Sequence, residues 1–132
     1  MAVVDASVLV ELLRGGEHQE LVEERLDAEE HTLWAPHLID AEIGNALRRS
    51  VLLGEVSAEV AGRALWEVAE LPIERVEHEH LIHVAWGLRD NFSFYDGLYV
   101  ALALMLDDPL LTFDARLARS GVDLPIEVLG QA

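Results

Sequence analysis

Ala2-Val3-Val4-Asp5-Ala6-Ser7-Val8-Leu9-Val10 is an apolar run broken by one aspartate. A short run of this kind, followed by helix-forming sequence, reads as the first strand of an α/β sheet. An aspartate at this place carries a heavy desolvation cost unless hydrogen-bond donors or a cation meet it. Ligands of open parallel sheets collect at the carboxyl ends of the strands, which is where Asp5 falls. A structural reading stands beside the functional one: Asp5 as the N-cap of a helix starting near Ser7. The choice between them turns on whether other acids recur at matching positions.

Working outward, the pattern of strand then helix repeats. Ser7 to Leu13 reads as a short helix stopped at Gly15-Gly16, and residues 17–28 place Leu21, Val22 and Leu26 at amphipathic helical spacing. Thr32 to Ala35 is a strand candidate ending at Pro36. His37 to Leu53 is a helix with Ile39, Ile43, Leu47 and Val51 on its apolar side, ended by Gly54. Ser57 caps the next helix, which runs to Leu71-Pro72. Ile73 to Val76 is a third strand, and His78 to Arg89 reads as one helix with a broad buried face from Leu81 to Leu88. After a turn at Asn91 to Phe94, Tyr95 to Leu106 is so poor in polar residues that it should be the central buried helix. Pro109 to Thr112, Ala115 to Arg119 and Ile126 to Val128 complete the chain as strand, short helix and strand. The expected fold is a single α/β domain over residues 1–132: a three-layer sandwich with a central parallel sheet of four to five short strands and helices on both faces.

Composition narrows the chemistry. The 132 residues are 52% hydrophobic, enough for a proper core. Absence of cysteine removes disulfides, thiolate metal sites and cysteine nucleophiles. No signal peptide opens the chain and no apolar stretch is long enough to span a bilayer, so a cytoplasmic protein with no membrane contact is expected. The formal charge is −16, and all 9 basic residues are arginine. Such acidity argues against broad, sequence-independent nucleic-acid binding and fits an acidic metal site or a basic partner.

Four acids stand at the ends and starts of elements. Asp5 follows the first strand, and Asp114 follows Leu110-Leu111-Thr112-Phe113 in the same way. Glu42 lies between Ile39 and Ile43, on or beside an apolar helical face. Asp96 sits in the first turn of the most apolar helix. Singly, each has a bland reading as a cap, a dipole partner or a boundary residue. Jointly they can point into one crevice, where four carboxylates repel unless a divalent cation neutralises them. All-oxygen ligation selects Mg²⁺ or Mn²⁺ over zinc.

The segments around these acids, Val3-Val-Asp-Ala-Ser-Val-Leu-Val-Glu11, Pro36-His-Leu-Ile-Asp-Ala-Glu-Ile-Gly-Asn-Ala-Leu47, Leu88-Arg-Asp-Asn-Phe-Ser-Phe-Tyr-Asp96-Gly-Leu-Tyr-Val-Ala-Leu-Ala103 and Leu110-Leu-Thr-Phe-Asp-Ala-Arg-Leu117, stand in an order that resembles the PIN-domain ribonucleases. Within them the chain is most similar to the VapC toxins of bacterial toxin–antitoxin pairs, over essentially its whole length. The resemblance implies that Asp5, Glu42, Asp96 and Asp114 hold Mg²⁺ or Mn²⁺ and hydrolyse RNA to 5′-phosphate and 3′-hydroxyl ends. Asp5 and Asp96 stand first as ligands, with Glu42 and Asp114 as further ligands or water-mediated base. Ser7, Asn45 and Thr112 match its supporting polar positions. It also implies a cognate antitoxin, bound across helices near the site, and a homodimer. Gly97, where alanine is common, and Leu104, where a charge is common, depart from the pattern away from the four acids.

Other features read as structural. His78, His80 and His83 read as a solvated helix start, and Asp107-Asp108 as a solvated turn. Asp40 should point away from Glu42. Arg14, Arg48, Arg49 and Arg116 are the basic residues nearest the acids, with salt bridges to glutamates as their expected use and contacts to RNA phosphates as the alternative. Trp34, Trp66 and Trp86 read as core or interface residues. Two rivals remain beside the nuclease: a non-catalytic PIN-like module that recognises a protein or RNA, and a phosphatase-like or flavodoxin-like domain. The second usually brings a lysine to the phosphate, and this chain has none.

Overall fold

In the computed structural model, which describes residues 1–29, 32–120 and 123–130, Val3 pairs on both sides. Strand β1 (Ala2–Val4) runs parallel to β2 (Leu33–Pro36) through Val3↔Trp34 and parallel to β4 (Leu110–Thr112) through Val3↔Leu110. Strand β3 (Ile73–Val76) pairs with β2, and β5 (Ile126–Val128) with β4, giving a parallel sheet in the order β3-β2-β1-β4-β5. Every residue of β1 and of β4 has 0% exposure, so both faces of the sheet are covered there. That explains why these strands read as unbroken apolar runs rather than alternating ones.

The helices are α1 (Ala6–Leu13), α2 (Gln19–Asp27), α3 (Leu38–Leu52), α4 (Ala58–Glu70), α5 (Ile82–Gly87), α6 (Phe94–Leu106) and α7 (Ala115–Ala118). Helices α1 to α4 pack on one another, with α1 against β4 and α3 against β2; α6 lies over β1, β2 and β4 and carries α5. Seven successive residues of α6, Gly97 to Ala103, are buried, as the scarcity of polar side chains required. A Cβ at Gly97 would stand 3.3 Å from the Ala85 carbonyl oxygen, so the departure from alanine at this position matches a close crossing of α5 and α6. Among the described residues no helix is long and apolar enough to cross a membrane.

The strand order changes direction between β1 and β4. The chain steps from β1 outward through β2 to β3, then returns to the other side of β1 for β4 and β5. A crevice opens beyond the carboxyl ends of adjacent strands at such a reversal. Asp5 follows β1 directly and Asp114 lies two residues after β4, so both fall at its mouth.

The region from His78 to Arg89 departs from expectation. A 3₁₀ turn over His78–His80 precedes the short α5, and Leu81 joins them at φ −110°. The cause is a long-range bond: the His78 ring turns away and its Nε2 accepts from the Leu38 amide at the start of α3, at 2.9 Å. His78 is therefore a cap for another helix rather than a solvated start. The expected broad buried face is also narrower, with Leu81 and Ala85 buried but Ile82, Val84 and Trp86 exposed. Trp66, 78% exposed, and Trp86 are surface residues, which removes the core reading for both. Asp107 is exposed in the turn as expected, but Asp108 Oδ2 is buried without a hydrogen-bond partner, which no feature of the structure explains.

Candidate active site

Asp5 is half-buried, and both of its oxygens are held by hydroxyls. Oδ1 accepts from Ser7 Oγ and, at 3.4 Å, from the Val8 amide; Oδ2 accepts from Thr112 Oγ1. Each hydroxyl is itself anchored to the segment after β4. Ser7 Oγ accepts from the Phe113 amide at 3.1 Å, and Thr112 Oγ1 from the Asp114 amide at 2.9 Å. Asp5 is thus both the N-cap of α1 and the centre of a stitch across the reversal of the sheet. Burial pushes its carboxyl up; the Ser7, Thr112 and Val8 bonds oppose this, and the charge of Glu42 adds to the rise.

Glu42 projects from α3 and Asp96 from the first turn of α6, where Ser93 caps the helix through the Asp96 amide. Burial raises the Asp96 carboxyl and the charge of Asp114 adds to the rise, while Ser93 and the charge of Arg116 oppose it. Asp114 differs. Its Oδ1 accepts from the Arg116 amide at 3.0 Å, and the Arg116 guanidinium grips it through Nε and Nη2, the latter at 2.6 Å. This grip holds the Asp114 carboxyl below the ordinary range despite partial burial.

One residue missed in the sequence joins these groups. The Tyr99 hydroxyl, buried in α6, donates to Glu42 Oε1 at 2.6 Å. Burial first, then this bond, then the charges of Glu42, Asp5 and Asp96 push the phenol far up. Glu42, Asp5 and Asp96 thus lie within electrostatic reach of Tyr99, and Asp114 within reach of Asp96, at the carboxyl end of the sheet.

Asp5, Glu42 and Asp96 have no arginine or histidine within ion-pair distance among the described residues. Three partly buried carboxylates in no ion pair, with Arg116 acting on Asp96 only from a distance, are a set that a hard divalent cation would fit, since all their donors are oxygen. The set is open rather than closed: no three of the four acids bring oxygens within 4.8 Å of one another. Mg²⁺ keeps several waters and needs few direct protein ligands, so an open set remains compatible with it. Among the described residues, the trio that does approach within 4.8 Å is Glu77, Glu79 and His80, exposed at and just before the 3₁₀ turn; His83 is not part of it.

The remaining expectations sort plainly. Ser7 and Thr112 touch Asp5, whereas Asn45 is exposed and its amide makes no hydrogen bond among the described residues. Asp40 points away to a two-point pair with Arg75. Arg14 pairs with Glu55 and Glu11, but Arg48 and Arg49 have no ion pair among the described residues, against the expectation of salt bridges for all. A groove of about 390 Å³ leads from Ser7 and Glu42 between α1 and α3 to Arg14 and Arg49.

Comparison with known proteins gives three kinds of match. The PIN domain family matches residues 2–122. Ribonuclease VapC1 of Mycobacterium tuberculosis is 48% identical over 127 residues, covering 96% of this chain and 94% of the relative. VapC ribonuclease Mb0985 of Mycobacterium bovis is 39% identical over 132 residues, covering 98% of each. Among solved structures, PAE2754 from Pyrobaculum aerophilum superposes with a TM-score of 0.67 at 28% identity, covering 96% of this chain and 83% of that one. VapC20 of Mycobacterium tuberculosis, described as a sarcin-ricin-loop-cleaving toxin, superposes at 0.71 with 16% identity over 95% of this chain and 99% of that one, which speaks to the fold alone. VapBC2 from Rickettsia felis, solved on a DNA fragment from its promoter, does so at 0.68 with 13% identity, covering 96% and 97%.

Proposed function

The chain belongs to the PIN-domain family, among the VapC ribonucleases, and we propose that it cleaves RNA as the toxin of a toxin–antitoxin pair through a divalent-cation site formed by Asp5, Glu42, Asp96 and Asp114. The observation that carries this reading is the group of three partly buried carboxylates, none of them in an ion pair among the described residues, at the reversal point of a parallel sheet. Asp5 and Asp96 are the first choices as ligands, with Glu42 and Asp114 as further ligands or as base through a water. A Mg²⁺ or Mn²⁺ ion at such a site offsets phosphodiester charge and makes water easier to deprotonate.

The chain's own residues do the rest. Ser7 and Thr112 fix both oxygens of Asp5, so its orientation is set before substrate arrives. Glu42, bound through one oxygen only, keeps the other to accept a proton from the attacking water. Arg116, bound to Asp114 and exposed, stands where it can meet a phosphate of the strand. The groove past Glu42 toward unpaired Arg49 offers that strand a path.

A VapC ribonuclease has an RNA substrate and an antitoxin partner. We propose that the antitoxin meets α3, its C-cap and α4, where Leu52, Leu53 and Trp66 are exposed apolar groups on a strongly acidic chain, suited to a basic peptide with apolar anchors. We propose a homodimer in which the exposed Trp86 of α5 and Tyr95 of α6 supply apolar contacts.

The test is cleavage of a mixed tRNA and rRNA pool by antitoxin-free protein with Mg²⁺, with EDTA, and after Asp5→Ala. Cutting should need the cation and fall more than about 100-fold in the variant. Wild type and variant equally inert, both still binding a partner tightly, would make the chain a non-catalytic binding module instead.

A further inference from the structure

Tyr99 lies three residues after Asp96, in the stretch of α6 that is buried on all sides, and is 2% exposed. Its neighbours Leu98, Val100 and Leu102 are plain core residues, and a phenylalanine would serve the packing equally well. The hydroxyl needs a separate reason, because a buried phenol must find an acceptor. The acceptor found is Glu42 Oε1, at 2.6 Å and across the sheet's edge from another helix.

The contrast with the neighbouring acids gives this bond its weight. Asp5 accepts from two hydroxyls and an amide, and Asp114 from an amide and a guanidinium. Glu42 has a longer side chain with one more torsion to settle, yet among the described residues its carboxylate accepts from Tyr99 alone. Without that bond nothing in the structure would fix which way the carboxylate faces. With it, Oε1 is occupied and Oε2 is left open.

We propose that Tyr99 is a positioning residue for the cation site: its hydroxyl holds Glu42 Oε1 so that Oε2 is the oxygen presented to the divalent cation or to its water. This rests on the reading of the four acids as that site. Groups one step removed from a metal act by orienting the ligand, and losing one typically costs about 10–100-fold in metal affinity or activity.

The test measures Mn²⁺ binding to the full, metal-free chain through the electron-spin resonance signal of free Mn²⁺, in wild type, Tyr99→Phe, Glu42→Gln, the double variant of these two, and Asp5→Ala. Tyr99→Phe should weaken binding about 10-fold. The double variant should bind no more weakly than Glu42→Gln, because both changes act through one carboxylate. A merely structural tyrosine would shift the melting midpoint and leave the Mn²⁺ affinity alone, which would overturn the proposal. If Glu42→Gln and Asp5→Ala themselves bind Mn²⁺ as wild type does, the cation site is wrong; if they weaken and Tyr99→Phe does not, only the role of Tyr99 falls. A second readout needs no variant at Tyr99. The chain has 2 tyrosines, so 3-fluorotyrosine labelling gives two ¹⁹F signals, assigned with Tyr95→Phe. Mg²⁺ should move the Tyr99 signal in wild type and not in Glu42→Gln; a Tyr99 signal indifferent to Mg²⁺ in wild type contradicts the proposal.

Discussion

Asp5 and Asp114 are built by the same local rule and end in opposite electrostatic states. Each follows a fully buried strand, and each caps a helix with its Oδ1, through the Val8 amide in one case and the Arg116 amide in the other. The difference lies in burial, deeper at Asp5, and two residues on, where one acid meets Ser7 and the other Arg116. A serine supplies hydrogen bonds but no charge, so burial dominates and Asp5 is raised. An arginine supplies both, so Asp114 is lowered. Strand-then-acid thus sets where a carboxylate sits, and its burial together with its neighbour at the second position sets whether it is left wanting a cation.

The largest expected effect tests this directly. Asp5→Ala and Asp114→Ala remove the same group from matched places, yet the first should abolish cleavage by more than about 100-fold while the second costs several-fold less. Initial rates on a common RNA substrate across a Mg²⁺ titration check the ranking. Equal losses would mean that Arg116 lets go of Asp114 whenever substrate and cation are present.

Thr112→Val comes next, because Thr112 bridges the two acids. It is fully buried, donates to Asp5 and accepts from the Asp114 amide. Valine fits the space but leaves that amide and one oxygen of Asp5 unmet, a loss of about 1–3 kcal/mol in stability. Activity should fall about 10–100-fold as Asp5 loosens. Urea unfolding and steady-state kinetics on one preparation separate the two effects.

Much of this arrangement was legible in the residues alone. The parallel sheet, the buried α6 and the positions of all four acids follow from apolar runs, their lengths and the acids that interrupt them. What stayed hidden depends on side chains that meet across the chain. Tyr99 counts as one more core residue until its hydroxyl is asked for a partner, which is the signal that could have found it. The break between the 3₁₀ turn and α5 depends on His78 reaching Leu38, and no periodicity within His78 to Arg89 encodes that reach. Likewise, a helical apolar pattern cannot tell a face that packs inside this chain from one left for a partner, so Trp66 and Trp86 could not be placed. The sequence places Arg116 near the acids, but its choice of Asp114 over the surrounding glutamates is set by local geometry.

The third prediction concerns the metal-free protein. A carboxyl raised in the folded state takes up its proton there before the unfolded chain does, so Asp5 works against folding at neutral pH and the penalty fades as pH falls through its raised value. A carboxyl lowered in the folded state contributes stability above the ordinary range near 3.8 and loses it as pH falls through its own lower value. In EDTA, Asp5→Asn should therefore raise the melting midpoint at pH 7 by about 3 °C, with the gain shrinking toward pH 4. The same variant should lose most of the Mg²⁺-induced stabilisation that wild type shows. An unchanged midpoint at both pH values would mean that the two hydroxyls fully offset the burial of Asp5.

The smallest effect is the most pointed. Arg116→Gln leaves the backbone cap on Asp114 in place but removes the guanidinium, making the second position of the β4 acid resemble that of the β1 acid. If the two sites differ only by that neighbour, the freed Asp114 should rise toward the ordinary carboxyl range. It should then join the cation site more readily, so that Mn²⁺ binds a few-fold more tightly in the absence of RNA. Cleavage at saturating Mn²⁺ should move the other way if the exposed guanidinium also meets the substrate phosphate, raising KM for RNA while leaving kcat near wild type. Mn²⁺ titrations with and without a non-cleavable RNA separate the two roles. Tighter Mn²⁺ with unchanged KM assigns Arg116 wholly to Asp114, whereas unchanged Mn²⁺ affinity would show that the two strand-end acids differ for a reason other than their second neighbour.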